Sequence, residues 1–225
     1  MTYEFKGSKI LISDVEPLLD EQTFQWKLKS VSPERQEKAV RYKFPKGRAL
    51  SLGAALALDE LLQQRGLREY DQHYLTGPHG KPSLADHPDI HFSLSHTSHF
   101  VACAVADFEI GIDIQHLVNA NEALMRRVLS DEEFEGVMLK EGKPRQELFA
   151  RLWALKESYL KAVGTGITDD FPAFSLENDT PRLINRPGSF SFYEFDFPDG
   201  KGALCSLDKG LMVKGLSATS GCLKV

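Results

Sequence analysis

The sequence predicts an α+β protein made of two similar halves, residues 1–108 and 109–225. A strand, then helices, then further strands occur in the same order twice, which is typical of two related units. The length of 225 residues fits one domain or two closely packed halves, and it is long enough for a sizeable core. We expect the halves to meet near Phe108–Gly111.

The first half is predicted to begin with a strand and to continue with two helices. Ser32 followed by Pro33 is typical of a helix start, because serine caps the first turn and proline suits the first helical position. Gly66 ends the second helix, and the segment from Gly77 to Pro82 has the composition of a turn. The predicted elements are a strand at 9–13, helices at 32–41 and 48–64, and strands at 90–94 and 100–106.

The second half is predicted to begin with an isoleucine-rich strand and to contain two helical stretches. In the later stretch the apolar residues recur at helical spacing, and Gly164 provides a C-terminal stop. The predicted elements are a strand at 110–115, helices at 120–139 and 146–163, and strands at 174–176, 189–197 and 203–207.

The helix at 146–163 carries charged residues in or beside its apolar face. Lys156 falls inside the apolar arc, where a lysine is rarely buried unless it is paired. Glu157 and Lys161 are one turn apart and project together at the edge of that arc. One interpretation is a surface ion pair beside a lysine that extends its ammonium to water. That interpretation accounts poorly for Lys156.

The strand at 110–115 places a carboxylate opposite its isoleucines. Asp113 and Gln115 share one face by the two-residue period, and Gly111 leaves room for a close approach beside Asp113. Asp113 and Glu157 are thus two carboxylates on different elements with lysines nearby, which suits a Mg²⁺ ion bound to a polyphosphate. The alternative is an ordinary half-exposed strand.

Composition excludes several classes of function. The net charge of −5 provides no overall basic field for nucleic acid. The three cysteines, Cys103, Cys205 and Cys222, are widely spaced and odd in number, which indicates reduced thiols in a cytoplasmic protein. The chain begins without the pattern of a leader peptide, and no apolar run has the length of a membrane span.

Several side chains in the first half could bind anions. Arg, Lys, Ser and His donors suit a phosphate-rich ligand, although charge runs are usually solvated faces and a lone histidine is usually structural. Neither a Walker A sequence nor GxGxxG is present. The candidates are the basic patch of Lys38, Arg41, Lys43, Lys46 and Arg48, then Lys81 on its turn, and Ser95 and His96.

Four motifs together resemble the 4′-phosphopantetheinyl transferases, in order and in approximate spacing. The length resembles the larger, pseudo-dimeric Sfp type rather than the short trimeric holo-acyl-carrier-protein synthases. The resemblance extends from about residue 32 to residue 167 and implies the 4′-phosphopantetheinyl transferase fold. The motifs are Gly80-Lys81-Pro82, Phe92-Ser93-Leu94-Ser95-His96, Gly111-Ile112-Asp113-Ile114 and Trp153-Ala154-Leu155-Lys156-Glu157-Ser158-Tyr159-Leu160-Lys161.

The resemblance implies transfer of phosphopantetheine from coenzyme A (CoA) to a serine of an apo acyl or peptidyl carrier protein, with release of 3′,5′-ADP. By similarity, Asp113 and Glu157 would bind Mg²⁺, and Lys161 would stabilise charge on the attacked phosphate. Residues 1–108 would supply the CoA phosphate contacts, and residues 109–225 the metal site. The implied CoA contacts are Lys81, Ser95 and His96, with Lys38, Arg41 and Arg48 around the 3′-phosphate and Lys161 at the pyrophosphate.

Two further positions matter to the implied chemistry. Glu133 is in register with the glutamate that removes the serine proton in the family, although Ser130 and Glu133 also have the spacing of a capping box. Gln115 stands where many members have a third acidic metal ligand. A neutral amide is the weaker ligand, so either water fills the position or Gln115 binds through its carbonyl.

Two other functions compete with transfer. A Ser–His hydrolase is disfavoured, because Ser95 and His96 are adjacent on a strand and no GxSxG elbow accompanies them. A non-catalytic CoA- or carrier-binding module is the stronger alternative, since the acidic residue at position 115 is lost. We expect a monomer that binds neither nucleic acid nor membranes, and whose partner is a carrier of fatty-acid, polyketide or nonribosomal-peptide synthesis.

Overall fold

The structure is a computed structural model that describes residues 1–5, 8–166, 171, 173–177, 179–184 and 190–207. These residues form two compact units, Met1–Phe108 and the described part of the chain from Glu109 onward. Both units combine helices with antiparallel sheet, which confirms the α+β class. Among the described helices, none combines the length and the apolar character that a membrane span requires.

The first unit is a four-stranded antiparallel sheet covered by helices. The sheet order is β1-β2-β6-β5, and a separate hairpin pairs β3 with β4. The strands are β1 (Thr2–Phe5), β2 (Ser8–Asp14), β3 (Tyr74–Thr76), β4 (Pro82–Leu84), β5 (His91–Thr97) and β6 (Phe100–Ala106). The helices are α1 (Glu21–Leu28), α2 (Pro33–Val40) and α3 (Pro45–Gln63).

Helix α2 begins as its sequence predicts. Ser32 is the N-cap and accepts a hydrogen bond from the Arg35 amide, with Pro33 in the first helical turn. Helix α3 begins at Pro45, three residues before the predicted start, because a proline also suits its first turn. The small and apolar residues of α3 pack on strand β6, which is buried along its whole length.

The second unit is a three-stranded antiparallel sheet, β10-β11-β7, with a long helix against it. A second hairpin pairs β8 with β9. The strands are β7 (Ile110–His116), β8 (Phe174–Glu177), β9 (Thr180–Leu183), β10 (Phe190–Phe197) and β11 (Gly200–Leu207). The helices are α4 (Glu122–Val128), α5 (Asp131–Met138) and α6 (Gly142–Val163).

Helix α6 packs directly on strand β7 at Gly111. A Cβ atom at this position would lie 2.1 Å from the Ser158 carbonyl oxygen and 2.3 Å from the Ala162 amide nitrogen. Only glycine therefore allows the helix backbone to come this close to the strand. Because α6 covers β7, the strand is buried from Ile110 to Ile114, and the alternative of a half-exposed strand is wrong.

One predicted helix was wrong. The stretch predicted as a single helix at 120–139 is two helices, α4 and α5, because Leu129 and Ser130 are extended. Ser130 then caps α5 in a capping box with Glu133. The predicted start of a strand at Ser189 lies outside the described residues, as does Cys222, whereas Cys103 and Cys205 are buried free thiols.

Candidate active site

Strand β7 and helix α6 bring four of the predicted site residues together, Asp113, Gln115, Glu157 and Lys161. Asp113 projects from β7, and Lys161 of α6 reaches it with a distance of 2.6 Å from Nζ to Oδ1. Lys161 thus pairs across to the strand, and its charge also acts on Glu157 one turn earlier on its own helix. The close approach at Gly111 places this turn of α6 against the strand. Gly111 therefore permits the close contact between α6 and β7 on which this geometry depends.

Glu157 lies close enough to Asp113 for the two charges to act on each other. Burial raises the pKa of Glu157, the negative charge of Asp113 raises it further, and Lys161 and Trp153 lower it. Glu157 is 6% exposed and Asp113 is 3% exposed. Two carboxylates held together with little water are a donor set that fits a divalent cation, because the cation offsets both charges. The residues present thus fit Mg²⁺.

Gln115 is directed at Asp113 and not away from it. Its amide Nε2 donates a hydrogen bond of 2.7 Å to Asp113 Oδ2. Asp113 Oδ2 therefore accepts from Gln115, and Asp113 Oδ1 accepts from Lys161. Among the described residues, no group of three or more acidic, histidine or cysteine side chains could hold a metal. Binding of Gln115 to a metal stays a prediction.

Glu133 is held by three donors at the start of α5. Its Oε2 accepts from the Ser130 amide at 2.7 Å, and its Oε1 accepts from the Phe174 amide at 2.8 Å. The Lys156 ammonium lies 2.7 Å from Oε2. The capping box is therefore present, and the carboxylate also joins α5, α6 and β8. Its role as the base stays a prediction.

Lys156 is buried in the structure and is paired with a residue that the sequence could not identify. Its side chain is 0% exposed, and it is paired with Glu133 as a buried lysine requires. Burial lowers the pKa of Lys156, and the charge of Glu133 acts in the opposite direction. The apolar arc indicated that Lys156 needs a partner, but spacing could not identify a glutamate on another helix.

The predicted anion-binding residues of the first unit lie on two groups of elements. Lys38 and Arg41 are at the end of α2, and Arg41 pairs with Glu37 at 2.5 Å. Arg48, in the first turns of α3, stacks on the Phe24 ring at 4.4 Å and lies 3.4 Å from Glu21. Both guanidinium groups thus have a carboxylate partner within the unit.

The second group comprises Lys81, Ser95 and His96. Lys81 closes the β3–β4 turn, where its carbonyl accepts from the Gly77 amide at 2.9 Å. Ser95 is buried on β5 and His96 is exposed, as expected for neighbours on opposite faces of a strand. The first unit thus contains all the predicted CoA contacts except Lys161, which belongs to the second unit with Asp113, Gln115, Glu133 and Glu157.

Comparison with known proteins identifies the family. The 4′-phosphopantetheinyl transferase superfamily matches residues 109–199. The 4′-phosphopantetheinyl transferase Sfp of Bacillus subtilis (strain 168) is 33% identical over 199 residues, which are 84% of this chain and 88% of the relative. The chain belongs to the 4′-phosphopantetheinyl transferase superfamily. The Sfp-type resemblance and the prediction of an enzyme are confirmed.

A further relative and a solved structure are also similar to this chain. The 4′-phosphopantetheinyl transferase ffp of Bacillus subtilis is 30% identical over 84% of this chain and 88% of its own length. A crystal structure of a holo-(acyl-carrier-protein) synthase from Bacillus anthracis str. Ames, in complex with CoA (3′,5′-ADP), is also similar. It is 28% identical and covers 44% of this chain and 95% of its own, with a TM-score of 0.40.

Proposed function

We propose that this 4′-phosphopantetheinyl transferase holds Mg²⁺ at Asp113 and Glu157, with Lys161 beside them. The reaction moves the 4′-phosphopantetheine group from CoA to a serine of an apo carrier protein and releases 3′,5′-ADP. The observation that supports the proposal is the pair of buried carboxylates on β7 and α6 with a lysine 2.6 Å from one of them. Mg²⁺ bound there would neutralise charge on the pyrophosphate oxygens of CoA.

Lys161 is suited to contact the reacting phosphate. Its side chain is 29% exposed while its ammonium pairs with Asp113, so the side chain is partly accessible from the solvent. The carrier serine oxygen forms a bond to the β-phosphorus of CoA, and the bond from that phosphorus to the oxygen of 3′,5′-ADP breaks. Negative charge grows on the leaving oxygen and on the phosphate. A fixed ammonium beside those oxygens stabilises that charge.

Glu133 is our candidate for the base that takes the serine proton. An ionised carboxylate has about four acceptor positions, and three donors contact Glu133, so one position remains for the serine hydroxyl. The three contacts would also fix the direction of the carboxylate. The competing interpretation is that Glu133 only anchors α5. The transfer rate of Lys156→Met, Glu133→Gln compared with that of Lys156→Met separates the two, because neither variant contains a buried Lys156 ammonium without its partner. The amide keeps the shape of the side chain but cannot accept the proton.

The first unit would hold the phosphates of CoA. We assign Lys81, Ser95 and His96 to the pyrophosphate region, and Lys38, Arg41 and Arg48 to the 3′-phosphate. Arg41 and its partner Glu37 are exposed, so their ion pair is weak and a phosphate can replace the carboxylate. Gln115 is assigned to the metal site through water or its own carbonyl.

The same reaction also bears on the oligomeric state, the compartment and the partners of the enzyme. We propose that the enzyme acts as a monomer in the cytoplasm, on acyl or peptidyl carrier proteins, and binds neither nucleic acid nor membranes. The free thiols of Cys103 and Cys205 support a reducing compartment. The net charge of −5 argues against nucleic acid as a partner.

Intact-mass analysis tests the proposal directly. Apo acyl carrier protein incubated with the enzyme, CoA and Mg²⁺ should gain one phosphopantetheine on its serine. The gain should be absent with EDTA and with Glu157→Gln, and present with Glu147→Gln, a matched change elsewhere on α6. CoA binding without an adduct on acyl and peptidyl carriers would instead support a non-catalytic binding module.

A further inference from the structure

One buried carboxylate of the first unit contacts two elements that carry assigned CoA contacts. Glu69 begins a short 3₁₀ turn, Glu69–Asp71, which lies between α3 and β3, and it is 0% exposed. A buried glutamate destabilises a protein unless donors and a counter-charge surround it. The groups around Glu69 are therefore held in place by its charge.

The first contacts of the carboxylate come from the start of helix α2. Glu69 Oε2 accepts from the Ser32 amide at 2.7 Å, and Oε1 accepts from the Ser32 hydroxyl at 2.9 Å. The Arg35 guanidinium supplies the counter-charge, with Nε 3.5 Å from Oε1 and 9% of the side chain exposed. Burial lowers the pKa of Lys38, and the charge of Arg35 lowers it further, so these two cations of α2 are close neighbours.

The remaining contact comes from the start of strand β3. The Tyr74 hydroxyl donates to Glu69 Oε1 at 2.6 Å, and the Tyr74 ring lies 4.4 Å from the Arg35 guanidinium. Burial raises the pKa of Tyr74, so its hydroxyl keeps the proton that it donates. Strand β3 pairs with β4, and Lys81 closes the turn between them. One carboxylate thus holds both the hairpin of Lys81 and the helix of Lys38.

The backbone of Glu69 is fixed to helix α3. Its amide donates to Asp59 Oδ1 at 2.9 Å, and Asp59 is 5% exposed. Asp59 also accepts from Arg68 Nε at 2.9 Å and from Gln63 Nε2 at 2.7 Å. Because α3 belongs to the core of the unit, Glu69 is a rigid point of attachment for α2 and β3.

We propose that Glu69 is a positioning residue that fixes the spacing between α2 and the β3–β4 hairpin, and through it the affinity for CoA. This role rests on the proposed function, which assigns Lys38 and Arg41 to the 3′-phosphate and Lys81 to the pyrophosphate region. CoA contains both groups and must contact both elements at once, so a preset spacing favours its binding. 3′-Dephospho-CoA lacks the 3′-phosphate, and its affinity depends less on that spacing.

Charge alone predicts the opposite effect of a neutral residue at this position. Glu69→Gln removes a negative charge beside Arg35, which makes the surroundings of Lys38 more positive and would strengthen phosphate binding. The positioning role predicts weaker binding. The amide has a single acceptor oxygen and no charge, so it cannot hold Ser32 and Arg35 as the carboxylate does. The direction of the change therefore separates the two effects.

Isothermal titration of the full chain with CoA and with 3′-dephospho-CoA, without a carrier protein, measures both affinities. The wild type should bind CoA at least about tenfold more tightly, since hydrogen bonds to charged groups are the stronger ones. Glu69→Gln should weaken CoA about tenfold and 3′-dephospho-CoA less than about threefold. Tyr74→Phe removes one hydrogen bond and keeps Glu69 paired with Arg35, so it provides a milder test in which CoA weakens about threefold.

Two control variants separate positioning from a loss of stability and from a loss of charge. Leu62→Ala removes a buried side chain of α3 and destabilises the same unit, but it leaves the carboxylate contacts of Glu69 in place. Asp71→Asn removes an exposed carboxylate of the same 3₁₀ turn. Both should keep the wild-type ratio of the two affinities. In transfer assays, Glu69→Gln should raise KM for CoA and leave kcat and KM for the carrier near the wild-type values.

Three results would overturn the positioning role. They are unchanged or tighter CoA binding in Glu69→Gln or Tyr74→Phe, an equal change of the affinity ratio in Leu62→Ala, and equal affinity of the wild type for the two ligands. The titration requires no transfer. A missing carrier adduct would therefore count against the proposed function, whereas an unchanged affinity ratio in the Glu69 variant of an active enzyme would count against the positioning role alone.

Discussion

Helix α6 carries two lysine–carboxylate pairs of almost equal length in very different surroundings. Lys156 lies 2.7 Å from Glu133 with 0% of its side chain exposed. Lys161 lies 2.6 Å from Asp113 with 29% of its side chain exposed. The first side chain is enclosed by protein, and the second is partly exposed to the solvent. Burial thus decides which lysine can meet a substrate phosphate and which one serves the fold.

The two pairs also differ in what surrounds the carboxylate. Glu133 accepts from two backbone amides in addition to Lys156, so three donors stabilise its charge. Asp113 accepts from Gln115 and faces Glu157, whose negative charge opposes its own. The charge of Glu133 is balanced by Lys156. Asp113 and Glu157 share only Lys161, so this second group has an excess of negative charge. A cation fits only the second.

The largest expected effect comes from breaking the buried pair. Lys156→Met should lower the free energy of unfolding by about 3–5 kcal/mol, because it leaves the Glu133 carboxylate buried without its counter-charge. Urea unfolding followed by Trp153 fluorescence measures this in the second unit. The other tryptophan, Trp26, is 65% exposed and is replaced by phenylalanine in both proteins.

Two controls test whether burial of the charge causes the loss of stability in Lys156→Met. The double variant Lys156→Met, Glu133→Gln should regain part of the loss, since no unpaired charge remains. Lys143→Ala breaks the exposed Lys143–Glu147 pair of α6 and should cost less than about 0.5 kcal/mol. A loss below about 1 kcal/mol in Lys156→Met would show that the buried pair is not the stronger structural element.

The second largest effect concerns the site with the excess negative charge. Glu157→Gln should reduce the rate of carrier modification at least about 100-fold, because a bound metal ion contributes several kcal/mol of charge stabilisation. The initial rate of holo-carrier formation, followed by mass spectrometry at saturating CoA, measures it. Glu147→Gln should keep the wild-type rate. A Glu157→Gln variant with more than a third of that rate would contradict the assignment.

Much of this contrast could be predicted from the sequence. The apolar arc of α6 showed that Lys156 needs a partner and that Glu157 and Lys161 lie at the arc's edge. Gly111 indicated a close approach beside Asp113, and the helix backbone makes that approach. These inferences succeed because helical and strand periods are local properties.

The partners could not be predicted for a physical reason. Glu133 reaches Lys156 because the helical path is interrupted at Leu129 and Ser130, and the direction of α5 after that interruption depends on tertiary packing.

Short elements were not predicted for another reason. Strands β3 and β4 have three residues each, too few to show an alternation. Helix α1 buries only Phe24 and Leu28, which is too small an apolar face to recognise.

The pH dependence of stability should differ between wild type and Glu157→Gln. Burial and Asp113 raise the pKa of Glu157 above 4.5, so the folded state disfavours its charged form. The unfolded state therefore loses the proton first as pH rises, and Glu157 lowers stability above that range. We expect the metal-free variant to be more stable than wild type near neutral pH, with the difference fading below about pH 4.5.

Urea unfolding in EDTA across that pH range measures the difference. Mg²⁺ should stabilise the wild type and have little effect on Glu157→Gln. Glu157 would then account both for the loss of stability without metal and for the binding of Mg²⁺. A variant that is less stable than wild type at neutral pH without metal would show that Glu157 is not electrostatically disfavoured.

The smallest expected effect concerns position 115 of the metal site. Gln115→Glu replaces an amide that donates to Asp113 Oδ2 by a carboxylate that repels it, and this adds a third acid beside Glu157. Without metal, the variant should be less stable than wild type. With metal, we expect Mg²⁺ to bind about tenfold more tightly, as an added charged oxygen ligand would provide. Calorimetric titration with Mg²⁺ and with Mn²⁺ measures the affinity directly.

Gln115→Ala is the matched control, because it removes the hydrogen bond to Asp113 without adding a charge. If the amide only orients Asp113, this variant should bind Mg²⁺ more weakly than wild type and should be only slightly less stable. Equal metal affinity in wild type and Gln115→Glu would mean that position 115 does not reach the ion. The excess negative charge of this centre would then belong to Asp113 and Glu157 alone, with substrate oxygens and water completing the coordination.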